Sequence, residues 1–410
     1  IGITELTALL SRRSLYCSKT ANGKYSVTNI FDSEKGNIFF DATSHNWENG
    51  RCSFCGASQT EYEREEGLET HAYQFIHNNL PDKIKNMKFD VIIGNPPYQL
   101  SDGGAGASAI PLYHKFVQQA KKLNPQFLAM IIPSRWFAGG RSLDDFRAEM
   151  QKDKRLKMIV DYPKSRDCFP GVDIAGGVCY FLWDKDYNGA CNFISRIKEI
   201  ESQKLRHLDE FNFIIRDNKG IEVLHKVMDK REKMMSDVVL KVSPFGIRSY
   251  ERGKEKSFSG SVTLVSSGGI GYINKAMILK NQDIVDNYKI CIGYLNPDRA
   301  GVNNASDGMM NVITKIRILK KNEVTTETYI IPYNDKSIDK VENCATYLKT
   351  KFARFMLSLT LSSMHITQNN FSFVPLQDFS EAWTDEKLYK KYKLTKEEID
   401  FIESMIRPMN

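Results

Sequence analysis

At 410 residues the chain is long enough for two or three domains of ordinary size. Its hydrophobic share of 41% is that of a soluble globular protein, and a net charge of only +7 permits a nucleic-acid partner without demanding one. No apolar run reaches the roughly eighteen residues of a membrane span, and no cleavable signal pattern is present, so the reading is a soluble, cytoplasmic protein with no membrane partner. Eight cysteines are too sparse for a secreted disulfide framework. Reduced thiols are expected, with metal binding where they cluster.

The first segment, IGITELTALLSRRSLY, reads as a strand-like Ile1-Gly2-Ile3 leading into a helix with apolar Leu6, Leu9, Leu10 and Leu15 beside Arg12 and Arg13. An insertion follows over about 17–67, rich in Gly, Asn, Ser and Thr, and it holds three of the eight cysteines. Cys52 and Cys55 form a C-x2-C knuckle followed by Gly56, with His45 seven residues before it. Two thiolates at that spacing on a tight turn can grip one tetrahedral metal, and Gly56 relieves the backbone where N–H groups face sulfur. Cys17 is the nearest remaining soft ligand. The set Cys17, His45, Cys52 and Cys55 makes a closed Cys3His site, which implies structural rather than catalytic zinc; the alternative is a reduced, metal-free knuckle. Cys168, Cys179, Cys191, Cys291 and Cys344 read as core thiols.

The apolar run FDVIIG leads directly into Asn95-Pro96-Pro97-Tyr98, which reads as a catalytic loop at the end of a buried strand. Its chemistry suits methylation of a planar exocyclic nitrogen, whose lone pair is delocalised into a ring and attacks poorly. The Asn95 side-chain carbonyl and the Pro96 backbone carbonyl can each accept one N–H of such an amino group and drain that conjugation. Proline fixes the backbone and brings no competing N–H, and Tyr98 offers a ring face on which a base can stack. Asp90, five residues earlier, ties the strand end to the sheet or assists substrate binding.

A Gly/Ser stretch over 101–108 then gives way to an amphipathic helix (AIPLYHKFVQQAKKL), a strand and loop (FLAMIIPSRWFAGG), and strands at 157–162 and 177–183. This alternation, with residues 1–16, points to an α/β layer with a mostly parallel sheet. From about residue 199 the texture turns polar and strand-rich, with Ser-Gly runs suited to turns in a mixed α+β domain. Basic residues interleave with aromatics in FGIRSYERGKEKSF, and Lys315, Arg317, Lys320 and Lys321 cluster; each group suits either phosphate contacts or a solvated face. Residues 340–361 read as one long helical segment. The tail ends in a helix with Thr395 as N-cap and Glu398 as its capping-box partner.

The loop and the order of elements after it resemble the γ-class adenine-N6 DNA methyltransferases of bacterial restriction–modification systems, from the fourth to the eighth motif of that family, over roughly residues 85–200. The resemblance implies a Rossmann-like α/β S-adenosylmethionine-dependent methyltransferase domain over 1–200, with a zinc-knuckle insertion. It further implies an α+β target-recognition domain over 201–380 and a helical tail over 381–410. Asn95, Pro96, Pro97 and Tyr98 would form the catalytic loop. S-adenosylmethionine would be held by Glu5, Glu69, Asn95 and Tyr113, although Tyr113 and Phe116, three apart on a helix, equally suit a plain core. Duplex adenine must be flipped out to reach a buried cofactor. Phe169, in CFPGVDIAGG, is the implied second stacking ring beside Tyr98, with a core position as the alternative. The family's Gly-rich first motif is not found in these residues, so a chain truncated before its second motif is expected. Double-stranded DNA is the implied partner, with an upstream nuclease or helicase region or a separate restriction subunit. Runners-up are the modification or specificity part of a larger restriction endonuclease, and a protein-glutamine or RNA-guanine N-methyltransferase.

Overall fold

The computed structural model describes residues 5–28, 30–38, 45–62, 75–77, 87–99, 110–140, 142–197, 200–295, 308–361 and 365–409. They fall into two compact units. The first takes Ile1–Val160, Cys179–Phe193 and Leu205–Glu210, and the second takes Asp161–Val178, Ile194–Lys204 and Phe211–Asn410.

In the first unit the leading helix forms over Glu5–Tyr16 (α1). Cys17 follows it in the left-handed conformation (φ 53°), and Ala8 and Tyr16 pack with Ala21 and Ile38 in a small core of their own. Trp47–Glu48 (β1) and Arg51–Cys52 (β2) then make a hairpin. Its two tip residues, Asn49 and Gly50, both have positive φ (52° and 74°), as the tight turn that matches strand twist requires. A short helix, Gln59–Tyr62 (α2), follows.

The central sheet has six strands: Val91–Gly94 (β3), Phe127–Pro133 (β4), Leu156–Tyr162 (β5), Val178–Asp184 (β6), Cys191–Ile197 (β7) and Ile200–Arg206 (β8). Their order is β3-β4-β6-β5-β7-β8. β3 and β4 are parallel, with Val91 opposite Phe127 and Gly94 opposite Met130. The helices Tyr113–Lys122 (α3) and Asp144–Lys152 (α4) fall between strands, in the alternation expected of an α/β layer. One expectation is corrected. Among the described strands β3 lies at the edge of the sheet and is not buried, and Ile93 is 80% exposed, because strand alternation turns Val91 and Ile93 to a face that no described residue covers.

In the second unit, Ser261–Ser266 (β9) pairs antiparallel with Gly269–Asn274 (β10) and parallel with Glu323–Thr325 (β13). A second sheet centres on Tyr288–Gly293 (β11), flanked by Ile316–Leu319 (β12) and Tyr329–Ile330 (β14). The helical segment expected over 340–361 is two helices, Ile338–Lys349 and Lys351–Ser358. Thr350 divides them: its extended backbone ends the first, and its hydroxyl caps the second by accepting from the N–H of Ala353 at 3.1 Å. The capping box of the last helix, Lys396–Met405, is present, with the Thr395 N–H donating to Glu398 at 2.7 Å. Leu388, Tyr392, Ile402 and Ile406 join the same core as Phe352 and Phe355, so the C-terminal helices are part of this unit's interior. Asp161, fully buried, accepts two bonds of 2.7 Å from Arg216 in a bidentate pair.

Candidate functional site

Two features of the first unit carry chemistry, and one helix start joins them. The first is the loop leaving β3. Asn95 is exposed, Pro96 is buried, and Pro97 and Tyr98 are half-buried. An exposed Asn95 leaves its amide oxygen available as an acceptor, while the buried Pro96 fixes the backbone behind it. The loop returns beside the start of α3: the Tyr98 carbonyl accepts the N–H of Leu112 at 3.0 Å, and Gln99 bridges Pro111. The Asp90 side chain is exposed. Its carbonyl accepts from the N–H of Phe127 at 2.8 Å, which ties the strand to β4 through the backbone.

The second feature is the cysteine knuckle. His45, Cys52, Cys55 and His77 bring one ligand atom each to within 4.8 Å of one another. Cys55 Sγ is 3.4 Å from His45 Nδ1, and Cys52 Sγ is 3.8 Å from His77 Nε2. The edges of a tetrahedral Zn–S/N site are about 3.5–3.8 Å, so the set fits a closed Cys2His2 centre. The fourth member of this cluster is His77 and not the expected Cys17. Cys17 is exposed at the end of α1, and Tyr16 before it packs in a different small core, whereas His77 is buried against the thiols. No spacing rule points to His77, which lies 25 residues from Cys52.

The knuckle backbone is shaped around sulfur. Gly56, at φ 81°, donates to the Cys52 carbonyl at 2.8 Å, and Cys52 donates to Ala57 at 2.9 Å. Burial opposes ionisation of Cys52, but N–H groups of Cys55, Phe54 and Asn46 hold its thiol below the ordinary value. Burial pushes the Cys55 thiol up to about 12 and holds the His45 ring below its ordinary value, in the neutral form that a metal needs. Trp47 stacks on His45, with ring centroids 4.9 Å apart, and Phe54 lies 5.2 Å from His77.

The remaining sequence assignments are scattered. Glu5 opens α1, and its side chain lies outside the described residues, as does all of Glu69. Tyr113 is only 1% exposed, with Phe146 edge-on to its ring, and burial pushes its phenol up; this is the core alternative. Phe116 is likewise buried, stacked 5.8 Å from Phe75. Phe169 is half-buried on a loop of the second unit, its N–H donating to Ser165 at 2.7 Å. Cys179, Cys191, Cys291 and Cys344 are buried as expected, and Cys168 is half-buried.

A strand of the α/β sheet thus runs directly into Asn-Pro-Pro-Tyr. Residues 1–169 match the Eco57I restriction-modification methylase family. A curated protein of Mycoplasma pneumoniae, described as an uncharacterized adenine-specific methylase, is 39% identical over 216 residues, 46% of this chain and 50% of that protein. The chain thus spans about half the length of the curated relative it matches. Among solved structures, the type IIL restriction-modification enzyme MmeI in complex with DNA is 9% identical over 78% of this chain and 55% of that one, with a TM-score of 0.39. The type IIG restriction endonuclease BpuSI is 9% identical over 79% and 55%, with a TM-score of 0.31. No helix among the described residues is long and apolar enough to cross a membrane.

Proposed function

We propose that this chain carries the catalytic loop of a DNA methyltransferase that transfers a methyl group from S-adenosylmethionine to adenine N6 in a restriction–modification system. The observation that carries it is the loop itself: Asn95 exposed at the end of a strand, on a backbone fixed by buried Pro96 and held at Tyr98 by the bond to Leu112. S-adenosylmethionine, when bound, supplies an already activated methyl group, so no nucleophilic side chain is needed. The Asn95 side-chain oxygen and the Pro96 carbonyl accept hydrogen bonds from the two N–H groups of the base's amino group. That draws the nitrogen toward sp3 and localises its lone pair for attack, an effect of positioning rather than of acid–base chemistry. The nitrogen takes the methyl as the sulfonium leaves as thioether, and then releases one proton to solvent. Tyr98 stacks on the base and keeps it oriented. Phe169 as a second stacking ring rests on the family resemblance alone, as do Glu5 and Glu69 as cofactor contacts.

In the same reading, His45, Cys52, Cys55 and His77 hold one structural zinc, and the basic clusters of the second unit contact DNA phosphates. The test is methyl transfer by the full-length protein from a tritiated donor to duplex DNA, with the product nucleoside identified after digestion. N6-methyladenine is expected, and Asn95→Ala abolishes it while DNA binding persists; Asn95→Asp keeps partial activity because a carboxylate still accepts. Wild-type turnover in Asn95→Ala, or label found only in protein or RNA, rejects the proposal.

A further inference from the structure

The helix that follows the loop has no side-chain cap of its own. Leu112 occupies the N-cap position of α3 and makes no side-chain capping bond. Its N–H is taken by the Tyr98 carbonyl at 3.0 Å. Its side chain, fully buried, belongs to the same core as Cys52, Cys55, Ala57, Ile76 and Phe116. One turn on, the ammonium of Lys115 reaches across and donates to the carbonyl of Phe54, which directly precedes Cys55. Leu112 thus touches both halves of the site, with its backbone on the loop and its side chain on the knuckle.

We infer that the metal knuckle is a brace for the catalytic loop: bound metal fixes residues 52–57, these seat Leu112 and Lys115, and Leu112 holds Tyr98. The inference rests on the metal reading given above; its hydrogen-exchange test is independent of methyl transfer, and only its kcat readout rests on the proposed activity. A metal that only stabilised an independent insertion would sit in a core of its own, separate from the helix start as the small core of Ala8, Tyr16, Ala21 and Ile38 is. Here the thiols share their core with the first turn of the helix that anchors the loop. A short hairpin and a four-residue helix bury little apolar surface, so the ligand bonds supply the rigidity that the brace needs. Lys115 is in this view a positioning residue, acting on Tyr98 through the knuckle and the helix start.

Hydrogen exchange on the intact protein, before and after zinc is stripped by a chelator and counted by elemental analysis, tests the brace. The amide of Leu112 and the peptide covering 95–99 are expected to lose at least tenfold protection on stripping and to regain it when zinc is added back. The helix Ile338–Lys349 of the second unit serves as the unchanged reference. Zinc present and removable with no change at Leu112 overturns the brace while leaving the metal reading intact. Protein that holds no zinc at any stage overturns the metal reading, and the brace with it. Lys115→Met is expected to keep its zinc, to loosen Leu112, and to lower kcat at least fivefold with KM for DNA unchanged, with partial recovery in Lys115→Arg. If Lys115→Met retains both full Leu112 protection and full kcat, Lys115 has no part in positioning.

Discussion

Trp47 lies flat against the imidazole of His45, with the rings 16° from parallel and their centroids 4.9 Å apart. An indole in that position senses whether the neighbouring imidazole carries a metal. Stripping zinc from the protein should therefore shift Trp47 emission, and adding zinc back should restore it. Cys52→Ser and Cys55→Ser should abolish the response and lower thermal stability, because metal binding is coupled to folding in such a segment. Cys17→Ser should retain one zinc per chain, and His77→Ala should not. Zinc content lost in Cys17→Ser and kept in His77→Ala would reverse the ligand assignment.

His114 gives a pH signature. Burial, reinforced by the nearby charge of Lys115, lowers its imidazole from 6.5 to about 4, and its ring packs between Tyr113 and Phe146. A histidine whose folded value is depressed stays neutral in the native state while the unfolded chain takes up a proton first. Its contribution is thus fully present above about pH 6.5 and is lost as the pH falls toward 4. Allowing for partial solvent exposure, the loss should be about 1–2 kcal/mol. Denaturant titrations of wild type and His114→Phe at pH 7 and pH 4.5 should show the variant losing less stability; equal losses rule His114 out.

Asp153 anchors the start of β5. Its carboxylate accepts from Arg155 at 2.7 Å and from the indole N–H of Trp183 at 2.9 Å, and it pairs with Lys121 at 2.7 Å. Burial opposes its ionisation, but Arg155 and Lys121 hold its carboxyl far below the ordinary range. Asp153→Ala leaves a half-buried lysine and an indole N–H without this acceptor and should cost about 1–3 kcal/mol. The check is the midpoint of urea unfolding. Asp153→Asn, which keeps one acceptor, should fall between, and a midpoint for the Ala variant equal to wild type excludes the anchoring role.

Tyr98 has two separable jobs in the proposed reaction. Its carbonyl anchors Leu112 whatever the side chain, while its ring stacks on the base. Tyr98→Phe should keep turnover near wild type, and Tyr98→Ala should weaken the productive complex by roughly 1–3 kcal/mol, the scale of one base–aromatic contact. 2-Aminopurine at the target position should brighten on binding to wild type and less so with Tyr98→Ala. Full brightening with the Ala variant removes Tyr98 from the base contact.

The parts legible in the sequence were those whose partners are close along the chain. The strand before Asn95, the C-x2-C turn with its glycine and the Thr395–Glu398 capping box each declare themselves within a few residues. His77 does not, because a side chain delivered to a cluster from a distant segment leaves no spacing to read, and Cys17 is only the nearest soft donor along the chain. The exposure of Ile93 was hidden for a different reason. An all-apolar strand reads as buried on both faces, and only the order of the described strands puts it at an edge among them. Thr350 is intermediate: a threonine inside an apolar helical pattern is common, and its extended backbone shows only in the fold.

The two residues at the hairpin tip bear on the metal chemistry although neither is a ligand. With Asn49 and Gly50 alone closing the turn, Trp47 stands directly opposite Cys52 and Glu48 opposite Arg51. Adding or removing a single residue there would slip the pairing by one and turn alternate side chains to the other side of the ribbon. Cys52 would then point away from Cys55 and His77, with every donor atom still encoded. On the proposed metal reading, loop length in this hairpin is as much a coordination determinant as the identity of the cysteines, and a variant that kept His45, Cys52, Cys55 and His77 would still lose the metal.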